Sequence, residues 1–183
     1  MSIEYELKRS DRKTLAVEIR EDGSVLVRAP RRMPLSAVEA FLAEKQDWIQ
    51  EKSRKQKARE QKAEKVRPLT GGERTFYREK AREVFQERTA FYAGRMGVSY
   101  GRIAIREQKT RWGSCSAKGS LNFNWKLILA PAGVLDYVVV HELAHRKEMN
   151  HSARFWAEVE KIMPDYRKYR DWLRENGHAL QKF

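Results

Sequence analysis

The stretch His141-Glu142-Leu143-Ala144-His145, preceded by Val138-Val139-Val140 and followed by Asn150-His151-Ser152, decides how this chain is read. On an α-helix, residues four apart are offset by only about 40° around the axis and about 6 Å along it, so both imidazoles face one way and can share a metal ion. Glu142 sits about 100° round, placed to reach water beside the metal rather than the metal itself. The three valines favour a strand by propensity. Against that, the run from Ala132 to Met149 exceeds ordinary strand length, and Pro131 suits a helix start. A helix is therefore expected, with Leu143 turned into the core.

A metal held by two histidines needs a third protein ligand and an open position for water. His151 is expected to supply it. A continuous helix would carry His151 about 15 Å beyond His141 and about 80° off the ligand face, so the chain has to turn between His145 and His151. Asn150 suits a left-handed helix terminator and Ser152 a cap for the helix that follows. Glu158 is the alternative third ligand. The remaining histidine, His178, lies in a polar tail beside Gly177. HExxH alone is a common accident, and its weight comes from agreement with an apolar helix and a third histidine.

Upstream, residues 100 to 106 and 120 to 125 read as strands joined by a polar loop from Gln108 to Gly119. Before them an amphipathic helix carries Phe76, Tyr77, Ala81, Val84, Phe85 and Phe91, ending near Gly94 and Gly97. After the motif, helices broken near Asn150 and Pro164 complete the chain. At the other end, Leu15, Val17 and Ile19 alternate with polar or small residues, Asp22-Gly23 makes a turn, and Val25 and Val27 resume the strand pattern. From Ser36 the period becomes helical through Val38, Phe41, Leu42, Trp48 and Ile49, with Ser36 and Glu39 spaced as a capping box. Lys52 to Arg67 holds eight basic residues and two glutamates with no apolar stripe. It reads as a solvated helix or linker, with nucleic acid as a partner it could contact. Pro68 and Gly71-Gly72 then mark a boundary, giving a β-strand and basic-helix module over 1–67 and a second domain over 68–183.

Composition sets outer limits. The 183 residues hold 38 Lys+Arg against 25 Asp+Glu, a net charge of +13, with 41% hydrophobic residues, enough to fold. One cysteine, Cys115, excludes an internal disulfide framework and suits a reducing cytoplasm. No stretch approaches the roughly 18 apolar residues of a membrane span. The excess positive charge points towards a polyanion. Gly113 to Ser120 is no P-loop, because Lys118 precedes the second glycine.

Several segments together resemble a known family. Thr110-Arg111-Trp112-Gly113-Ser114-Cys115-Ser116, Leu121-Asn122-Phe123-Asn124-Trp125, the HELAH segment, Asn150-His151-Ser152, Phe155-Trp156 and Met163-Pro164-Asp165-Tyr166 are similar to the YgjP-like family of metal-dependent hydrolases. Ser10 to Lys13, Asp22-Gly23 and Ala29-Pro30-Arg31 extend the similarity to the front. The metal-site pattern also resembles WLM and SprT-like metallopeptidases. The resemblance implies an α+β, minimal zincin-like domain, a small sheet packed on the HExxH helix. It also implies that the strand before that helix, with Asn122 and Asn124, aligns a peptide substrate. Arg111 is a candidate to steer a carboxylate or phosphate, and Tyr166 or Tyr169 to donate a hydrogen bond to a developing oxyanion.

The resulting expectation is a zinc-dependent hydrolase acting on peptides, with His141, His145 and His151 as ligands to Zn2+ and Glu142 as general base. UTP-type nucleotide pyrophosphate hydrolysis at the same site, implied by the resemblance, is the alternative enzyme. A nucleic-acid-binding protein with a vestigial metal site is the alternative from another class.

Overall fold

The computed structural model describes residues 3–183, which divide into two compact units, the first ending at Lys65 and the second running from Val66 to Phe183. In the first, β1 (Glu6–Ser10), β2 (Ala16–Ile19) and β3 (Val25–Pro30) form a sheet in the order β1-β3-β2. The β2–β3 pair is the antiparallel hairpin that the Asp22-Gly23 turn announces, with Gly23 at φ +80° and Asp22 Oδ1 accepting from the Ser24 amide at 2.8 Å. β1 pairs in parallel with β3, an arrangement that needs no short turn and left no local signal.

Helices α1 (Leu35–Glu44) and α2 (Gln46–Glu64) follow, and Val25, Val27, Ala29, Val38, Leu42 and Ile49 make the core. The expected Ser36–Glu39 capping box does not form: α1 starts one residue earlier, behind Pro34, with no side-chain cap. Pro34 stands just outside the first turn in an extended conformation, and its carbonyl accepts from the Val38 amide at 3.3 Å. The basic stretch is helical through Glu64. Its inner edge is tied to the hairpin by the Ser53 hydroxyl donating to Gly23 O and by Gln56 donating to Glu21 O at 3.2 Å, and Lys55 pairs with Glu51.

The second unit opens on α3 (Gly71–Met96), where Thr70 and Glu73 form a reciprocal capping box and Gly97, at φ +65°, closes the C-terminus. Strands β4 (Ile103–Arg106), β5 (Gly113–Cys115) and β6 (Leu121–Asn124) form a sheet in the order β4-β6-β5, β6 parallel to β4 and antiparallel to β5. β5 lies inside the segment read as a polar loop. Three residues, Gly-Ser-Cys, carry no apolar alternation, and only tertiary pairing makes them a strand. A 3-10 turn over Trp125–Leu129 leads into α4 (Ala132–Ala144), then α5 (Ala153–Ile162) and α6 (Tyr166–Gln181). No helix among the described residues is long and apolar enough to cross a membrane.

α4 sits at the centre of this unit. Val134, Leu135, Tyr137, Val138, Val139, Val140, Leu143 and Ala144 are all buried, so the helix is covered on nearly every face. This settles the conflict between valine propensity and helix: a valine costs about half a kcal/mol against alanine in a helix, whereas burying it returns about 1.5–3 kcal/mol. β5 meets the helix at Gly113, and in β6 Phe123 stacks on Phe85 of α3 at 4.4 Å. The α3–α4 register is fixed by Arg88, which donates to both Asp136 oxygens at 2.7 Å while Tyr92 donates to Oδ2 at 3.1 Å. Lys126, buried, donates to the Gln181 carbonyl at 2.6 Å and holds the end of α6.

The Arg88–Asp136 pair is mostly shielded, with 30% and 14% of the side chains exposed, so removing one partner strands a charge. Asp136→Ala is expected to destabilise the second unit by about 1–3 kcal/mol in denaturant titration. A change under a few tenths would show that α4 is held by apolar packing alone.

Candidate metal centre

α4 presents His141 and His145 from the same face, and the chain then turns sharply. It does so earlier than periodicity suggests: the helix ends at Ala144, with His145 as its cap residue, and Arg146, Lys147 and Glu148 close tight turns onto the carbonyls of Leu143 and Ala144. Asn150 is not left-handed, since no residue other than glycine has positive φ among those described. Ser152 caps α5 as expected, its hydroxyl accepting from the Phe155 amide at 3.4 Å.

The turn brings His151 back. Its Nε2 lies 3.0 Å from His141 Nε2, and one ring nitrogen from each of His141, His145 and His151 falls within 4.8 Å of the others. Zn–N bonds of 2.0–2.1 Å in a tetrahedron put ligand nitrogens about 3.3 Å apart, so the spacing suits a single small cation. His145 Nδ1 meets the Glu148 carbonyl at 3.1 Å, which fixes that ring and leaves Nε2 for the centre. Phe155 contacts all three rings at 4.6–4.8 Å and forms the floor. Glu158 is not part of the cluster: its carboxylate pairs with Lys147 at 2.6 Å. His178 lies on α6, outside the group.

Electrostatics point the same way. Burial, then the neighbouring His145 and His151, push His141 down to about 3, and burial also lowers His145, so both are held as neutral imidazoles, the form that ligates metal. Glu142 is 5% exposed, and burial pushes its carboxyl up to about 8. Its place depends on Gly113 of β5: a Cβ there would come within 2.5 Å of Glu142 Oε1 and 2.7 Å of its Cγ. No sequence spacing announces this contact, because it spans 29 residues and two elements. Cys115, also on β5, has its thiol pushed up by burial and by the Glu142 carboxylate, with Arg146 pulling the other way. Arg146 donates to Ser99 O at 2.9 Å and Ala117 O at 3.1 Å, bracing the turn between β5 and β6.

The other anticipated residues divide. β6 is the middle strand, paired on both sides, so a peptide cannot add to it; the free edge beside Glu142 is β5. Asn122 donates to Ser114 Oγ at 3.1 Å across that pair. Asn124 is fully buried, donating to Gln108 O at 2.8 Å and accepting from the Lys126 amide at 3.2 Å, so its amide serves the fold. Arg111 is exposed in the segment leading to β5. Tyr166 is 2% exposed, stacked on Trp156 at 5.2 Å and on Tyr137 at 6.3 Å. Tyr169 packs over Gly133, where a Cβ would meet its ring at 2.3 Å. Trp156 and Tyr137 complete the wall: Trp156 lies 5.7 Å from His141 and 6.0 Å from His151, and Tyr137 is 5.9 Å from His141. Tyr137 could have been found, since it precedes His141 by one helical turn.

The YgjP-like family, described as a YgjP-like metallopeptidase domain, matches residues 13–74 and 72–176. The chain belongs to this family. Two solved structures are similar to the YgjP-like chain over half its length. One is the metallopeptidase zymogen abylysin of Pyrococcus abyssi, 25% identical, with a TM-score of 0.46 over 50% of this chain and 97% of that one. The other is the metallopeptidase zymogen jannalysin of Methanocaldococcus jannaschii, 18% identical, with a TM-score of 0.44 over 49% and 93%. No curated protein matches the chain.

The sign of the Glu142 effect is testable without metal. A carboxyl raised from 4.5 to about 8 favours the folded state only while protonated, so its contribution is full below about pH 4.5 and lost as pH rises through 8. His141, lowered from 6.5 to about 3, acts in the opposite sense, losing stability as pH falls through that window. Glu142→Gln is therefore expected to stabilise the chelator-treated protein at pH 8 by on the order of 3 kcal/mol, with the gain vanishing near pH 4.5. Parallel pH profiles for both proteins would mean that Glu142 is solvated and ionised.

Proposed function

We propose that this YgjP-like chain is a zinc-dependent peptide hydrolase, with His141, His145 and His151 holding the ion and Glu142 acting as general base. The observation that carries the reading is the convergence of three imidazole nitrogens beside a buried glutamate. The donor set fits zinc: three imidazole nitrogens, one oriented by a backbone carbonyl, and no thiolate or fourth side chain closing the site among the described residues. When bound there, zinc supplies Lewis acidity that acidifies water and polarises a carbonyl.

The chain's own residues do the rest. Glu142, one helical step from the ligand face, accepts the proton of the attacking water and passes it to the departing amine. Its burial suits both directions of transfer, because a carboxyl with a raised pKa is a stronger base and can still hold a proton to return near neutral pH. A positive charge beside it is what returns it to the ionised form it needs as a base. The unpaired edge of β5 offers backbone N–H and C=O groups next to that carboxyl, where an extended peptide can add as a strand. Gly113 keeps this edge close to Glu142 without displacing it.

Two experiments test the assignment. Protein purified without chelator is expected to hold about one zinc per chain, lost in His151→Ala and kept in Glu158→Ala; elemental analysis with the reverse pattern would move the third ligand to Glu158. Glu142→Gln and Gly113→Ala should both keep the metal while peptide turnover falls, by roughly 100-fold or more for the glutamine. Full turnover in a zinc-replete Glu142→Gln protein would remove Glu142 from the mechanism.

A further inference from the structure

The aromatic wall of the site carries a cation with no strong partner. The Arg170 guanidinium, on α6, lies 5.4 Å from the Trp156 ring and 5.8 Å from the Tyr166 ring, and Trp156 itself faces His151 at 6.0 Å. The acid nearest to it, Asp171, is 3.9 Å away at the limit of pairing, through the same oxygen that approaches Arg174 at 3.2 Å. Three other arginines of this unit are committed: Arg88 to Asp136, Arg167 to Glu160 at 2.7 Å, and Arg146 to two backbone carbonyls. Two aromatic rings lie within cation–π range of the guanidinium without occupying its N–H donors as a carboxylate would, and 43% of the side chain is exposed to receive a bidentate acceptor. Arg170 also opposes the effect of burial on Tyr137, the ring that abuts His141, which sets it on the same wall as the ligands.

We propose that Arg170 is the specificity residue of the cleft and selects peptides that carry a carboxylate close to the bond being cut. This rests on the peptidase reading above. The two ring contacts between Arg170 and His151 are bridged by about three residues of extended chain at roughly 3.3 Å each, which sets the reach. A single guanidinium beside an aspartate suits a monoanion. A triphosphate would need the charges that Glu160 and Asp171 already engage. The carboxylate has two sources, an acidic side chain or the free C-terminus of a short substrate.

The test separates binding from turnover. Calorimetry on the zinc-loaded Glu142→Gln protein uses peptide pairs that differ only as Asp against Asn, or as free against amidated C-terminus. The carboxylate member of at least one pair is expected to bind about tenfold tighter, and which pair does so identifies the source. Adding Arg170→Gln should bring the ratio to about one, with Arg170→Lys keeping part of it. A ratio of one with Arg170 present, a ratio that survives Arg170→Gln, or peptides that do not bind at all would overturn the assignment. So would UTP binding tighter than either carboxylate in an Arg170-dependent way. If the wild-type enzyme shows the Arg170-dependent preference in binding yet cleaves none of these peptides, the peptidase reading falls and the carboxylate subsite stands.

Discussion

A helix that is apolar on nearly every face is stable only when it is surrounded, and α4 imposes that requirement on everything else in the second unit. α3 covers one side through Phe85 and the Arg88–Asp136 pair, β5 another at Gly113, and α5 and α6 the remainder. His141 and Glu142 belong to this same helix. Glu142 is buried because its helix is buried, and its raised pKa follows from the packing rather than from any charged neighbour.

Space was found for that carboxyl by omission. Gly113 is a position where a side chain would occupy the volume Glu142 needs, so the shortest strand of the sheet and the last turn of the core helix determine one another. Arg146 reinforces the pairing from below, reaching from the residue after His145 to the turn that ends β5. One segment of chain thus holds the ligands, buries the acid and braces the sheet edge opposite it.

What could be read in advance follows from how local each determinant is. The hairpin at Asp22-Gly23, the Gly97 helix end and the same-face pair His141/His145 each depend on residues within a turn or two of one another. The return of His151 to that pair could be anticipated because a continuous helix would carry it away from them, so a turn had to intervene. β5, the parallel β1–β3 pairing and the Gly113–Glu142 contact rest on residues far apart in the chain, and nothing in their own composition marks them. The capping signals show the opposite failure: Ser36 and Glu39 have the right spacing yet Pro34 starts the helix, while Thr70 and Glu73 form the box.

The early end of α4 has an electrostatic consequence. Had the helix run on to Met149, its exposed carbonyls would lie a full turn beyond the histidines. Ending at Ala144, it sets His145 against the negative pole of the peptide dipoles, equivalent to about half an elementary charge within the last turn. Three imidazoles bring no carboxylate to a cation. The backbone of α4 would therefore act as a diffuse counter-charge for a cation held there, without adding a carboxylate that would compete with Glu142.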